Sequence, residues 1–189
     1  MSTSVLAVLG SGRPAGNSAR ALTVAADAAR GEGAEVELLR LGSLGVLQHC
    51  IGCKACRASG ANRCVLPDGF ADIVERARGF DSLLIAAPVY FFSFGSLAKA
   101  FIDRAFYSSI RGGGKPNLFA GRKAGLILTY MDEDVLQSGA ANAIAAFRDT
   151  AGFVGLRVAG YAYARIQDGE DLSPGFAEKC ASLGRLLAS

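Results

Sequence analysis

Five short apolar runs alternate along this chain with stretches of helical periodicity, and that alternation constrains the fold more than any other feature. Val5 to Leu9, Val36 to Leu41, Ser82 to Ala87, Lys123 to Tyr130 and Arg157 to Arg165 read as strands. Between the first two, Ala21, Leu22, Ala25, Ala26 and Ala29 recur at helical spacing, with Asn17 or Ser18 available as the cap. Phe70, Ile73, Val74 and Ala77 form a second helical face that Gly79 ends, and Leu97, Phe101 and Ala105 form a third within Gly95 to Phe106. A fourth helix is predicted from about Ser138 to Ala151, and a last one is capped by Ser173 with Pro174 in its first turn. Strands alternating with helices require a parallel sheet covered on both faces, because each parallel connection needs a crossover that lands on a face.

The 189 residues, 51% of them hydrophobic, suffice for one domain with a real core, spanning 1–189 with a cysteine-rich insertion at about 48–66. Five strand-helix units predict a five-stranded parallel sheet of order 2-1-3-4-5, the three-layer α/β sandwich of flavodoxin-like proteins. In that order the winding reverses between strands one and three. The loops leaving those two strands therefore open a crevice at the carboxyl edge of the sheet, and a ligand site is expected there before any motif is consulted.

The loop after strand one reads Gly10-Ser11-Gly12-Arg13-Pro14-Ala15-Gly16-Asn17-Ser18. Its glycines let backbone N–H groups turn toward an anion held at the positive helix end. Ser11, Asn17 and Ser18 add short hydrogen-bond donors and Arg13 a fixed charge, a set suited to a terminal phosphate monoester. Gly10, Gly12 and Gly16 also approximate a dinucleotide fingerprint, although the last glycine comes one residue late and Arg40 stands where an acidic residue would hold a ribose. A Rossmann domain using NADP and a loop that merely turns the chain both stay open at this point.

Pro88-Val89-Tyr90-Phe91-Phe92 follows strand three and supplies the other half of the crevice with apolar and aromatic groups able to line a flat ring. Taken alone such a run is more often core packing, and its place beside the phosphate loop is what gives it weight. Thr129 and Tyr130, ending strand four at the same edge, are weaker candidates for contact with the ring. Arg111-Gly112-Gly113-Gly114-Lys115 has basic ends suited to a nicotinamide dinucleotide phosphate, or is simply a solvated loop.

Cys50, Cys53 and Cys56 lie three apart and Cys64 follows, whereas a disulfide framework would spread cysteines through a small secreted chain. So tight a set can wrap thiolates around one inorganic cluster. Structural zinc more often joins two separated CxxC pairs, and a zinc-stabilised binding domain is kept as an alternative. His49, the single histidine, is expected at the surface. Cys180 shares a helical face with Phe176, Leu183 and Leu187 and reads as core.

Together these segments resemble the NADPH-dependent FMN reductase family, including its iron-sulfur flavoprotein branch. The phosphate loop matches, Ala87-Pro88-Val89-Tyr90 followed by Lys99-Ala100-Phe101-Ile102-Asp103-Arg104 looks like the family's PVY loop and KAFIDR helix, and Cys50-Ile51-Gly52-Cys53 looks like its CIGC segment. The likeness covers roughly the first two thirds of the chain. It implies that Ser11, Arg13, Asn17 and Ser18 hold the FMN phosphate, that Pro88, Val89, Tyr90 and Phe91 contact the isoalloxazine, and that Cys50, Cys53, Cys56 and Cys64 bind a 4Fe-4S cluster. It also implies a homodimer or homotetramer, since flavin sites in this family are typically completed by a neighbouring subunit. Phe92 stands where relatives often have glycine, and Gly95-Ser96 replaces a common serine-alanine pair.

The expected activity is transfer of electrons from NAD(P)H through FMN to a quinone, a free flavin or an iron-sulfur cluster, with no acid-base triad because the flavin performs the chemistry. The alternative is a ferredoxin-linked carrier without NAD(P)H activity of its own. Flavodoxin carriers tend to be acidic, whereas this chain has a net charge of +3, too mild and too scattered for nucleic-acid binding. The longest uncharged stretch, Ser82 to Ala98, falls short of the ~18 to 20 residues a membrane span needs and is interrupted by Pro88 and Gly95. No basic leader or small-residue cleavage site precedes the first strand, so a cytoplasmic location is expected.

Overall fold

The structure, a computed structural model, describes residues 2–58 and 60–189; Ser59, within the cysteine-rich segment, lies outside them. In chain order the elements are β1 (Ser4–Leu9), α1 (Asn17–Gly31), β2 (Glu35–Arg40), α2 (Ala55–Ala58), α3 (Phe70–Ala77), β3 (Ser82–Tyr90), β4 (Ser93–Phe94) and α4 (Ser96–Phe101). A π-helical turn, Ile102–Phe106, joins α4 to α5 (Tyr107–Ser109), and β5 (Lys123–Tyr130), α6 (Ala140–Val154), β6 (Arg157–Arg165) and α7 (Pro174–Ala188) follow.

Five strands pair in the order β2-β1-β3-β5-β6, all parallel, which is the predicted order. The sixth, β4, is a two-residue return strand paired antiparallel to β3, and no period-2 signal in so short a segment marks it. Side chains alternate across the sheet. Val5, Ala7 and Leu9 pack with α1 and α7, while Leu6 and Val8 pack with α3, α4 and α6. In β3 the residues Leu83 to Ala87 are all essentially inaccessible, as expected for a central strand covered on both faces. Leu83, Leu84 and Ile85 each contribute roughly 1.5 to 3 kcal/mol of transfer free energy. Among the described residues no helix is long and apolar enough to cross a membrane.

Several boundaries depart from expectation where tertiary contacts decide them. Neither Asn17 nor Ser18 caps α1: Gly16 takes that position without a side-chain bond, and the two residues open the helix itself. The strand β3 runs on to Tyr90, so Pro88, Val89 and Tyr90 are strand residues rather than loop. The predicted helix Gly95 to Phe106 extends to Ser109 through its π turn. The i→i+5 bonding of that turn brings residues five apart toward one face, and Phe101 and Phe106 both enter the core. There they join an edge-to-face series with Phe70 and Phe119 at centroid distances of 5.5 to 6.4 Å. The Ser173 cap is as expected, its hydroxyl accepting from Phe176 N.

Candidate functional site

The reversal between β1 and β3 opens a cleft of about 130 Å³ at the carboxyl edge of the sheet. Ser11, Arg13, Gly16, Asn17 and Ser18 line one side, Pro88, Val89 and Tyr90 another, so the two segments singled out in the sequence meet in one place. Thr129, Tyr130, Met131 and Asp132 from the end of β5, and Ile166 and Asp168 after β6, complete the wall. The last four were not anticipated. Their only sequence signal is position just beyond a parallel strand, the edge at which such sheets bind ligands.

At the start of α1 the N–H groups of Asn17, Ser18 and Ala19 have no carbonyl four residues earlier within the helix, leaving donors directed at the cleft. The side chains nearby are less free than the sequence implies. The Asn17 amide donates to the carbonyls of Ile166 and Gln167, at 3.2 and 3.4 Å, and accepts from Arg20, so it ties the loop after β6 to α1. Ser11 Oγ accepts from Arg13 N at 3.1 Å and fixes the bend of the loop. Ser18 Oγ and Thr129 Oγ1 are 2.8 Å apart and buried. One hydroxyl of that pair donates to the other, which leaves a single O–H for a ligand. Arg13 reaches across the mouth to Asp168, at 2.7 Å, and this hydrogen-bonded carboxylate raises the guanidinium pKa.

Phe91 does not line the cleft. With Phe92 it forms the two-residue turn of the β3–β4 hairpin, between the paired Tyr90 and Ser93, and stands 97% exposed at the tip. Both residues hold left-handed backbone, φ +45° at Phe91 and +63° at Phe92, as the tight hairpin turn with two positive φ angles requires. The position at which relatives often carry glycine is thus one where glycine would be unstrained. Gly139 (φ +77°) makes room for the turn, since a Cβ there would collide with the Phe92 backbone. Asn142 Nδ2 then donates to the Phe92 carbonyl at 3.3 Å and pins the hairpin to α6. Tyr130, beneath, is buried, and burial first, then the charges of Tyr163 and Asp134, push its phenol pKa up.

The four clustered cysteines are free thiols, and all four border one small cavity closed by Asp103, Arg104 and Tyr107 of the π turn and α5. Burial pushes the Cys56 thiol up, and the negative charge of Cys64, Cys50 and Cys53 pushes it the same way. Among the described residues no three histidine, cysteine, aspartate or glutamate side chains close on a single metal ion. A tetrahedral zinc would need that closure at about 2.3 Å per sulfur. An iron-sulfur cluster, whose irons and sulfides stand between the thiolates, is held by a wider ring of sulfurs, and the four cysteines share the border of one small cavity, of about 20 Å³.

Arg104 organises this region. Its side chain is fully buried over the face of Phe70, 4.1 Å from the centroid, and donates to Asp68 Oδ1 at 2.8 Å, Gln48 O at 2.9 Å and Cys64 Sγ at 3.2 Å. Asp68 also accepts from the N–H groups of Gln48 and Phe70. Burial works against the Arg104 charge, but its bonds to Asp68 and Cys64 outweigh it and raise the pKa. The Arg104 hydrogen bond holds the Asp68 carboxyl down at about 2 against the opposing effect of burial. Cys180, by contrast, is buried among Phe176, Leu183 and Leu187 on the far face, and burial pushes its thiol up to about 12.

Comparison with known proteins places these features in a family. Two curated iron-sulfur flavoproteins are each 32% identical to the chain. One, from Methanocaldococcus jannaschii, matches over 53% of this chain and 51% of its own length, and one from Archaeoglobus fulgidus over 65% and 52%. The chain thus spans about half the length of these curated relatives. Among solved structures, an NAD(P)H:quinone oxidoreductase from Methanothermobacter marburgensis superposes with a TM-score of 0.78 over 100% of this chain and 98% of that one, at 16% identity. An archaeal flavodoxin superposes at 0.61 over 98% and 96%, at 9% identity. At such identities the superpositions establish a shared flavodoxin-like fold. The family model for NADPH-dependent FMN reductases matches residues 3–169, nearly the whole chain, and this protein belongs to that family.

Proposed function

We propose that this chain is an FMN-dependent oxidoreductase that takes electrons from NADH or NADPH and delivers them to an acceptor such as a quinone, a free flavin or an iron-sulfur cluster. The observation that carries the reading is the single cleft built from the β1–α1 loop and the end of β3, in a chain of the NADPH-dependent FMN reductase family. That family description favours a nicotinamide donor over ferredoxin. FMN, when bound, supplies a ring that accepts a hydride and releases electrons singly or in pairs.

The residues divide the remaining work. The N–H groups opening α1, with Ser11 and Ser18, bind the phosphate, and Arg13 adds charge once it turns from Asp168. Asn17 serves through its backbone, its side chain holding the loop after β6 in place. Pro88, Val89 and Tyr90 offer one wall to the ring, and Thr129 and Tyr130 the opposite one. Phe91, beyond the cleft, meets only a ring that projects from it. Cys50, Cys53, Cys56 and Cys64 would hold a 4Fe-4S cluster, with the Arg104 cation against Cys64.

At about 130 Å³ the cleft is smaller than the roughly 300 Å³ at which small-molecule pockets begin, so much of a bound flavin lies outside it. Phe91, Phe92 and Met131 are exposed around its mouth. Together these support a homodimer or homotetramer in which a second copy covers the ring.

Protein purified without oxygen tests the reading through its ultraviolet-visible spectrum, its iron and acid-labile sulfide, and NADH and NADPH oxidation with quinone or ferricyanide. Flavin bands, about four irons per chain and nicotinamide oxidation are expected. Flavin with neither nucleotide oxidised would overturn the enzymatic reading, and flavin without iron would overturn the cluster alone.

A further inference from the structure

A further cavity, of about 450 Å³, lies away from the cleft between β1 and β3 and shares no residue with it. Four cations line it, Lys54, Arg57, Arg111 and Lys115, and no carboxylate does. None of the four enters an ion pair with an acidic residue among the described residues. Gathering like charges around a concavity without a counter-charge raises their mutual repulsion and focuses a positive potential inside it. All four are exposed, so the cavity is open to an anion from solvent.

Two features of the backbone point the same way. Lys54 holds left-handed φ, +60°, a strained conformation for a side chain of this kind, and it lines both this cavity and the one bordered by the four cysteines. Gly112 needs neither positive φ nor space: a Cβ there would meet nothing within 4 Å. Gly112 therefore leaves its backbone unshielded at the cavity wall, open to a ligand. The wall between the cations is Tyr107, whose ring lies 5.5 Å from the Arg57 guanidinium carbon.

We propose that this cavity binds a small polyanion, a molecule carrying two or more phosphate or carboxylate groups, held by Lys54, Arg57, Arg111 and Lys115 with the backbone at Gly112. Its volume is that of a small-molecule pocket, and four cations around a concavity suit a compact ligand better than the broad face of another protein. Lys54 and Tyr107 are walls of the cysteine cavity too, so the bound anion sits next to that cluster. The site stands independently of the flavin reading.

Calorimetric titration of FMN-saturated protein at about 0.15 M salt, with inorganic pyrophosphate and with citrate, tests it. One site per chain is expected for at least one probe, and the better probe tells phosphate from carboxylate. The double variant R111A/K115A removes two exposed, unpaired cations and is expected to weaken binding about tenfold or more, with the thermal midpoint unchanged. Gly112→Val keeps every charge and is expected to weaken binding by occlusion, which a diffuse charge effect would not produce. Absence of binding by both probes, or unaltered affinity in both variants, would overturn the proposal. Binding of poly-L-glutamate without either small anion would overturn it in favour of an acidic protein surface. A chain that takes up no FMN would count against the flavin reading alone, because the variants report on the cation cavity whether or not the cleft is filled.

Discussion

Asp168 holds the Arg13 guanidinium at 2.7 Å across the mouth of the cleft, so the one fixed positive charge of the β1–α1 loop is already engaged by a carboxylate. Both side chains are more than half exposed, and such pairs contribute little to stability. Their consequence falls on binding. Asp168→Asn frees Arg13 and removes a negative charge from the approach of the phosphate, and FMN affinity is expected to rise about threefold. Arg13→Ala is expected to lower it about tenfold. Flavin fluorescence titration of the three proteins reads both effects, and equal affinities would place the phosphate elsewhere.

The buried pair of Asp68 and Arg104 predicts a specific acid limb. With its pKa held at about 2 against an ordinary 3.8, ionised Asp68 favours the folded state above pH 3.8, and that contribution disappears as pH falls from there to about 2. It amounts to about 2 kcal/mol. Denaturant melts across this range should show the loss in the parent chain. Asp68→Asn should start lower at neutral pH and vary less below pH 4.

Phe92→Gly is expected to stabilise the single-chain form of the protein, in which no second copy covers the hairpin. Left-handed backbone costs a residue with a side chain about 1 kcal/mol, glycine escapes that cost, and the Phe92 ring is 59% exposed and forfeits little burial. A rise of about 2 to 4 °C in thermal midpoint is expected for a chain of this length. A fall would show that the ring is covered in solution, as a subunit interface would cover it.

Cysteine reactivity should divide by environment. Cys180, inaccessible and with its thiol pushed up to about 12, should resist iodoacetamide at pH 8 in native protein and react only after denaturation. Cys50 and Cys53, both exposed, should react in metal-free protein. Peptide mass mapping before and after unfolding reads this directly, and native labelling of Cys180 would contradict its place in the core.

The strands and their order were legible because central parallel strands such as β5, buried on both faces, need uninterrupted apolar runs, and β5 and the half-buried edge strand β6 span the very residues read as strands. Helix ends were less legible. Asn17 has the composition of a cap, yet its amide is drawn to Ile166 and Gln167, residues about 150 positions away that local spacing cannot reveal. The π turn around Arg104 was equally hidden, because its register is set by which aromatic rings must enter the core.

By itself the sequence determined the sheet, the crevice at its reversal, and the two segments that meet there, since period and glycine placement act locally and topology follows from the parallel connections. Only the tertiary structure decided which of those side chains remain free. Asn17 and Ser18 are engaged by protein, Arg13 is shared with Asp168, Phe91 stands outside, and the four cysteines border one small cavity beside a buried arginine. Each of these outcomes depends on contacts between residues far apart in the chain, whose distances are settled when the two faces of the sheet are packed.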